Sequence, residues 1–296
     1  MSKGSVVVIG IFDGVHKGHQ LLLHRAKEIA DGRSIIALTF YPHPMQVFAP
    51  DRVPTGLTTL EDRVELLKIH NADQVVVIKF DKKFASMAPE DFVQDILIEQ
   101  LHASTVIVGR NFTYGNKAAG NIETLTSEAE KYGFSVDIQE IETGEGQPVS
   151  SSRIRSLIID GNVEEARVLL TRPHRLDGVV VHGEKRGREI GYPTANLGDI
   201  EDQTIPADGV YAGWLTVGIN HWPAAISIGT NPTFEGVRGR QVEAYALDQV
   251  GLDLYDKRAS IEFGWRLRET LKFDGLEPLL IQMKLDCDKA RTLTEA

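Results

Sequence analysis

The chain has 296 residues, 42% hydrophobic, 25% charged and 7% aromatic, a composition that excludes disorder and fibrous repeats and suffices for a sizeable core. At ~150 residues per domain, the length predicts about two domains. Lys and Arg total 32 against 42 Asp and Glu, a formal charge of −10, so the chain as a whole repels nucleic acid and anionic membrane, and any phosphate must be held by local charge.

The first apolar run, residues 5–12, stops at Asp13 with no small-residue cleavage site after it. It therefore reads as a buried strand and not as a signal-peptide core. Short β-branched runs at Val6–Ile11, Ser34–Phe40, Gln74–Lys79, Thr105–Gly109 and Phe134–Glu140 alternate with helical spacing over Gln20–Ala30, Leu60–His70, Pro89–Leu101 and Asn121–Lys131. That rhythm predicts an α/β, Rossmann-like domain: a parallel sheet with helices on both faces and ligands at the carboxyl ends of the strands. Ser151–Ile159 and Val163–Leu170 read as two short helices, the second ending before Thr171-Arg172-Pro173, where proline closes the pattern. The expected boundary therefore divides residues 1–171 from 172–296.

Beyond it come short alternating runs at Leu176–Val181, Gly209–Val217, Ala224–Gly229 and Gln241–Leu247, punctuated by Gly and Pro, which suit a small antiparallel β-barrel. Helical spacing returns over Glu277–Leu293, with Pro278 where a first turn tolerates it. This terminal helix holds Cys287, the only cysteine. An intrachain disulfide and a Cys-based zinc cluster are excluded, and a reducing, cytoplasmic compartment fits. Nowhere do 18 apolar residues run together, which argues against a membrane span.

Between the first strand and first helix lies Gly10-Ile11-Phe12-Asp13-Gly14-Val15-His16-Lys17-Gly18-His19. Glycines let the backbone turn sharply and approach an anion, and a helix start offers free N–H groups to phosphate. His16 and His19 can donate to phosphate oxygens whose charge rises in a displacement, so nucleotidyl transfer by in-line attack needs no covalent intermediate. Ser151 and Ser152 before Arg153 and Arg155 read either as a helix cap with solvated arginines or as phosphate ligands at a helix N-terminus. His43 between Pro42 and Pro44 is equally a plain turn or a site residue. Asn111 follows a buried strand and reads either as a loop cap or as a residue that bonds a base or phosphate.

In the second half, Gly183 and Gly187 allow a loop around an anion, and Lys185, Arg186 and Arg188 supply local positive charge. A solvated basic turn is the other reading of that loop. Thr194 and Asn196, two residues apart, offer neutral oxygen ligands on one face of a strand, suited to Mg²⁺ held mainly by substrate phosphates.

The histidine loop resembles that of nucleotidyltransferases with an H-x-G-H motif. Thr39–Pro44, Val108–Gly115 continuing through Lys117–Asn121, Ser150–Arg155 and Pro193-Thr194-Ala195-Asn196 narrow the resemblance to the bacterial bifunctional riboflavin kinase/FAD synthetase family, over nearly the whole chain. The resemblance implies an FMN adenylyltransferase domain over 1–171 and a riboflavin kinase domain over 172–296. ATP and Mg²⁺ would be used, and riboflavin, FMN and FAD would be substrates and products. It gives His16, His19 and Glu243 catalytic roles. ATP and phosphates would meet Gly10, Phe12, Asp13, Gly18, Asn111, Ser151, Ser152, Arg153, Gly183, Lys185 and Arg188. Flavin would meet Asn231, Arg268 and Phe273, and the metal Thr194 and Asn196. After Asp253-Leu254-Tyr255 the family often has Gly where Asp256 stands here, so a loop shape is expected to differ. Two rivals remain: a nucleotidyltransferase for a sugar or lipid phosphate, and a flavin- or nucleotide-binding protein without turnover. Small-molecule substrates are expected, without nucleic acid or membrane partners, and a homo-oligomer stays open.

Overall fold

The computed structural model describes residues 4–140, 149–183, 191–200, 202–229 and 240–295. They form two compact units, one of residues 1–54 and 58–151, the other of 55–57 and 152–296.

The first unit is built on a five-stranded parallel sheet of β1 (Ser5–Ile9), β2 (Ser34–Tyr41), β3 (Gln74–Lys79), β4 (Ala103–Gly109) and β5 (Ser135–Gln139), in the order β3-β2-β1-β4-β5. All five residues of β1 are buried, as a central strand covered on both faces requires. Alternate side chains serve the two faces. Val6 and Val8 pack with Leu22, Leu23, Ala26 and Leu67 from helices Lys17–Ile29 and Leu60–Ile69. Val7 and Ile9 pack with Phe92, Leu97 and Leu125 from helices Phe92–Gln100 and Ile122–Tyr132. The chain leaves β1 toward β2 on one side and reaches β4 on the other, so the loop after β1 sits at the point where the winding reverses, where such sheets bind ligands.

The second unit is a closed barrel of β6 (His174–Val181), β7 (Ala195–Gly198), β8 (Gly209–Val217), β9 (Asn220–Gly229), β10 (Gln241–Ala246) and β11 (Arg258–Arg268), ordered β10-β7-β6-β11-β8-β9, with the helix Leu276–Thr294 against it. Strand β10 alternates half-buried and buried residues, so Val242, Ala244 and Ala246 fill the barrel while Glu243 and Tyr245 face outward. Strand β11 is not among the sequence expectations, and β7 is expected only through the spacing of Thr194 and Asn196. Strand β7 is four residues long, and the alternation of β11 is broken by irregularities between Phe263 and Trp265 and between Arg266 and Arg268.

Helices Ser151–Ile159 and Val163–Leu170 form where expected, but they belong to the compact unit of the barrel. Val163 joins the barrel core, the Ala207 N–H donates to Ile158 O at 3.3 Å, and Glu164 Oε1 accepts the Arg266 N–H at 3.0 Å. The compact units thus divide between Ser151 and Ser152, about twenty residues before the change of texture at Pro173, which marks the first barrel strand.

Candidate active sites

Strand β1 delivers the chain into a tight turn whose Val15 N–H donates to Phe12 O at 3.0 Å. Gly14 at φ 80° suits glycine, whereas Phe12 at 55° and Val15 at 38° hold left-handed backbone without being glycine, a conformation a β-branched residue keeps only under external support. The Phe12 ring is fully buried, beneath Gly10, where a Cβ would come within 3.0 Å of it, and edge-on to His19 at 5.2 Å. Phe12 therefore shapes the loop from beneath. Asp13 is 3% exposed, and its carboxylate faces Thr58 and Arg63. The sequence reading had assigned it to phosphate.

His16 is the N-cap of helix Lys17–Ile29, its side chain makes no capping bond, and Gly18 is buried in the first turn. Its ring stacks on His19 with centroids 3.6 Å apart and planes 17° from parallel. Burial first, then His16 and Arg63, hold His19 well below the usual histidine range. The buried His19 Nδ1 has no hydrogen-bond partner among the described residues. Buried polar atoms are almost always hydrogen-bonded, so a nitrogen without a protein partner calls for a water, an ion, a ligand or strain to account for it. Ser151 donates from Oγ to Asp13 O at 3.0 Å, which ties the end of this unit to the loop. Ser152 is exposed, Arg153 is half-buried, and Arg155 is buried with Nε donating to Thr55 O at 2.7 Å.

Beside the loop opens a cavity of about 350 Å³, lined by Gly10, Ile11, Asn111 and an aromatic set that includes Phe40, Phe80, Phe84 and Tyr114. Phe112 and Tyr114 stack at 5.5 Å, and Phe80 and Phe84 meet edge to face at the same separation. Flat apolar walls running to a glycine loop suit a planar ring carrying a phosphate. Asn111, expected from the sequence to meet ATP, lines this cavity, whereas Phe80, Phe84 and Tyr114 are not among the expected site residues. The signal of Phe80 and Phe84 was modest: two aromatics flank the start of the short helix Lys82–Ala85 just beyond β3.

In the barrel, Thr194 donates from Oγ1 to Glu243 Oε2 at 3.0 Å, and Asn196 Nδ2 lies 3.4 Å from Thr194 Oγ1. Strand pairing sets this up, because Glu243 on β10 lies opposite Asn196 on β7. Gly183 is pressed against Asn196 so closely that a Cβ there would come within 2.5 Å of Nδ2. A cavity of about 210 Å³ joins Gly183, Thr194 and Asn196 to Tyr255. The Thr194 hydroxyl and the Asn196 amide oxygen are hard-oxygen donors of the kind that fits Mg²⁺. Among the described residues no group of three or more His, Cys, Asp or Glu is placed to hold a metal. Lys185, Arg188 and Asn231 lie outside the described residues.

Arg268, at the end of β11, donates from Nε and Nη2 to the Asp286 carboxylate at 2.7–3.1 Å, and its guanidinium carbon lies 5.9 Å from the centre of the Phe273 ring. Its charge is thus committed to the terminal helix. Asp256 adopts φ 61°, and its N–H donates to Val180 O at 2.9 Å. Aspartate tolerates this left-handed position, so the loop keeps a backbone that glycine would also adopt.

The FAD synthetase family model matches residues 1–153 and the riboflavin kinase model residues 170–294. The chain belongs to the bifunctional riboflavin kinase/FMN adenylyltransferase family. The Listeria monocytogenes family member is 38% identical over 284 residues, covering 95% of this chain and 90% of that protein. The one from Escherichia coli K12 is 34% identical over 287 residues, covering 96% and 91%. A Streptococcus pneumoniae crystal structure named as a macrolide-efflux protein superposes with a TM-score of 0.88 at 33% identity, covering 98% of this chain and 95% of that one. No described helix here is long and apolar enough to cross a membrane. The histidine loop and aromatic cavity lie within the FAD synthetase match, and the Thr194–Glu243 pair within the riboflavin kinase match.

Proposed function

We propose that this family member phosphorylates riboflavin to FMN with MgATP at the barrel site, and adenylylates FMN to FAD with release of pyrophosphate at the histidine loop. The observation that carries the reading is the presence of two separate constellations: the stacked histidines at the sheet's switch point, and the Thr194–Glu243 hydrogen bond on the barrel.

In the kinase step Glu243 accepts the proton of the terminal ribityl hydroxyl as that oxygen attacks the γ-phosphorus of ATP, and the bond from that phosphorus to the bridging oxygen breaks to release ADP. Thr194 orients the carboxylate through its 3.0 Å hydrogen bond. Thr194 and Asn196 would hold Mg²⁺, which supplies charge neutralisation to the phosphates. In the adenylylation step a phosphate oxygen of FMN attacks the α-phosphorus of ATP, and the bond to pyrophosphate breaks. His16 and His19 donate to the phosphate oxygens whose charge rises, and neither becomes a nucleophile. The loop backbone from Gly10 to Gly18, with Asn111, Ser151, Ser152 and Arg153, completes the proposed nucleotide set. Gly183, Lys185 and Arg188 serve the second ATP, and Asn231, Arg268 and Phe273 the riboflavin end. The division of labour follows the proposed domains, 1–171 and 172–296. The reading takes small molecules as the only substrates, excludes nucleic acid on the net charge of −10, and places the enzyme in the cytoplasm.

The test is to incubate the purified chain with riboflavin, ATP and Mg²⁺ and to follow flavins by chromatography with pyrophosphate in parallel. FMN should appear before FAD, with pyrophosphate tracking FAD. FMN alone would remove the assignment of the histidine loop, and neither product would remove both.

A further inference from the structure

The loop carrying the histidine pair is braced from outside itself. Its left-handed Phe12 and Val15 cost free energy that surrounding contacts must offset. Thr58, just ahead of helix Leu60–Ile69, accepts the Gly14 N–H at 3.2 Å and turns its hydroxyl toward Asp13 Oδ1 at 3.4 Å. Arg63, in the first turns of that helix, sets Nη2 3.5 Å from the same Asp13 oxygen. Both side chains are nearly sealed from water, at 7% and 3% exposure. Arginine stays charged at every working pH, and a charge withdrawn from water needs a reason beyond solubility.

We propose that Arg63 is a positioning residue for FMN adenylylation: acting through Asp13, it fixes the strained loop that carries His16 and His19, and it sets a permanent positive charge beside them. The inference rests on the reading of the histidine loop as the adenylylation site. Two facts support it independently of the family resemblance. Arg63 and Thr58 converge on one carboxylate of the loop from a different element. Arg63 also stands among the groups that hold His19 below its usual range.

The bifunctional chain carries its own control, since riboflavin phosphorylation uses other residues. R63M and R63K are compared for FAD formation from supplied FMN and for FMN formation from riboflavin. R63M should lose on the order of 10²-fold in kcat for FAD formation, the scale set by small misplacements of reacting groups. Its KM for FMN and its riboflavin phosphorylation should stay near wild type, and R63K should recover most of the loss. The pH–rate profile of FAD formation should move in R63M and return in R63K. Wild-type kcat in R63M would overturn the proposal, as would an R63K as poor as R63M or loss of both activities together. Should R63M yield no folded chain, R63Q stands in with the same two outcomes. H19A in the same assay separates the two levels: undiminished FAD formation there removes the underlying reading, whereas loss in H19A with retention in R63M removes only the role of Arg63.

Discussion

The imidazoles of His16 and His19 stack 3.6 Å apart, 17° from parallel, at the mouth of helix Lys17–Ile29. Stacking at that distance lets two donors meet neighbouring oxygens of one phosphate, and it makes protonating both rings costly. Replacing either histidine with alanine should lower FAD formation on the order of 10²–10³-fold, the usual cost of removing one preorganised donor. FMN formation from riboflavin should persist. Equal loss of both activities in a folded variant would refute the separation of sites.

The depressed His19 also has a consequence for stability. A histidine whose folded pKa lies below its unfolded value of about 6.5 binds more protons when unfolded, so stability rises with pH through the window between the two values and falls as acid is added. Here burial is the leading cause, followed by His16 and Arg63. Thermal unfolding followed from pH 8 to pH 5 should show the melting temperature dropping below about pH 6.5, with a shallower drop in H19Q. A slope identical in the two chains would show that His19 does not contribute.

The parallel sheet was legible because its strands are uniform β-branched runs of the right length, and the histidine loop because glycine and histidine recur at fixed spacing between a strand and a helix. Residues whose roles depend on long-range meetings were not legible. Arg63 looks like any helix-surface charge in Leu60–Ile69, yet it is buried against Asp13 fifty positions earlier. Arg268 is expected from the sequence to meet flavin, and the docking of the terminal helix adds Asp286 as a partner that no local pattern announces. The two short helices illustrate the same point: their apolar faces do not announce in the sequence which compact unit they cover.

The link from Thr194 to Glu243 makes two variants informative. E243A should reduce FMN formation from riboflavin by about 10²–10⁴-fold, the range for loss of a positioned base, and leave FAD formation from supplied FMN intact. G183A introduces a Cβ 2.5 Å from Asn196 Nδ2, and Asn196, short and leaning on Thr194, has little room to yield. A cost of about 1–3 kcal/mol for such overpacking should appear as a raised KM for MgATP in the kinase assay alone. Steady-state kinetics of both half-reactions checks each expectation, and an unaltered kinase KM in G183A would sever Asn196 from the nucleotide.

The aromatic cavity predicts a different pattern of kinetic damage. F80A opens the wall that Phe40, Phe48 and Phe84 share with it. Base-like stacking on an aromatic side chain is worth about 1–3 kcal/mol, so the KM for FMN in FAD formation should rise by about tenfold or more. The KM for ATP should stay put. A rise in both would place the nucleotide, not the flavin, on this wall.

The Arg268–Asp286 pair ties the last strand to the terminal helix, with the two side chains 18% and 9% exposed and Gln282 donating to the same carboxylate at 2.9 Å. Breaking a largely buried, bidentate pair from one side strands a charge and costs about 3–5 kcal/mol when burial is complete. D286A should therefore destabilise the barrel by somewhat less, on the order of 2–3 kcal/mol. Calorimetry should show the transition of the barrel unit shift down, with the histidine-loop activity unaffected below it. R268A should give a similar loss of stability if the guanidinium serves only the helix. A larger fall in riboflavin affinity in R268A than in D286A, at temperatures where both remain folded, would show that Arg268 also touches the flavin. The comparison of the two variants thus separates the anchoring role seen in the structure from the flavin-binding role implied by the sequence motif.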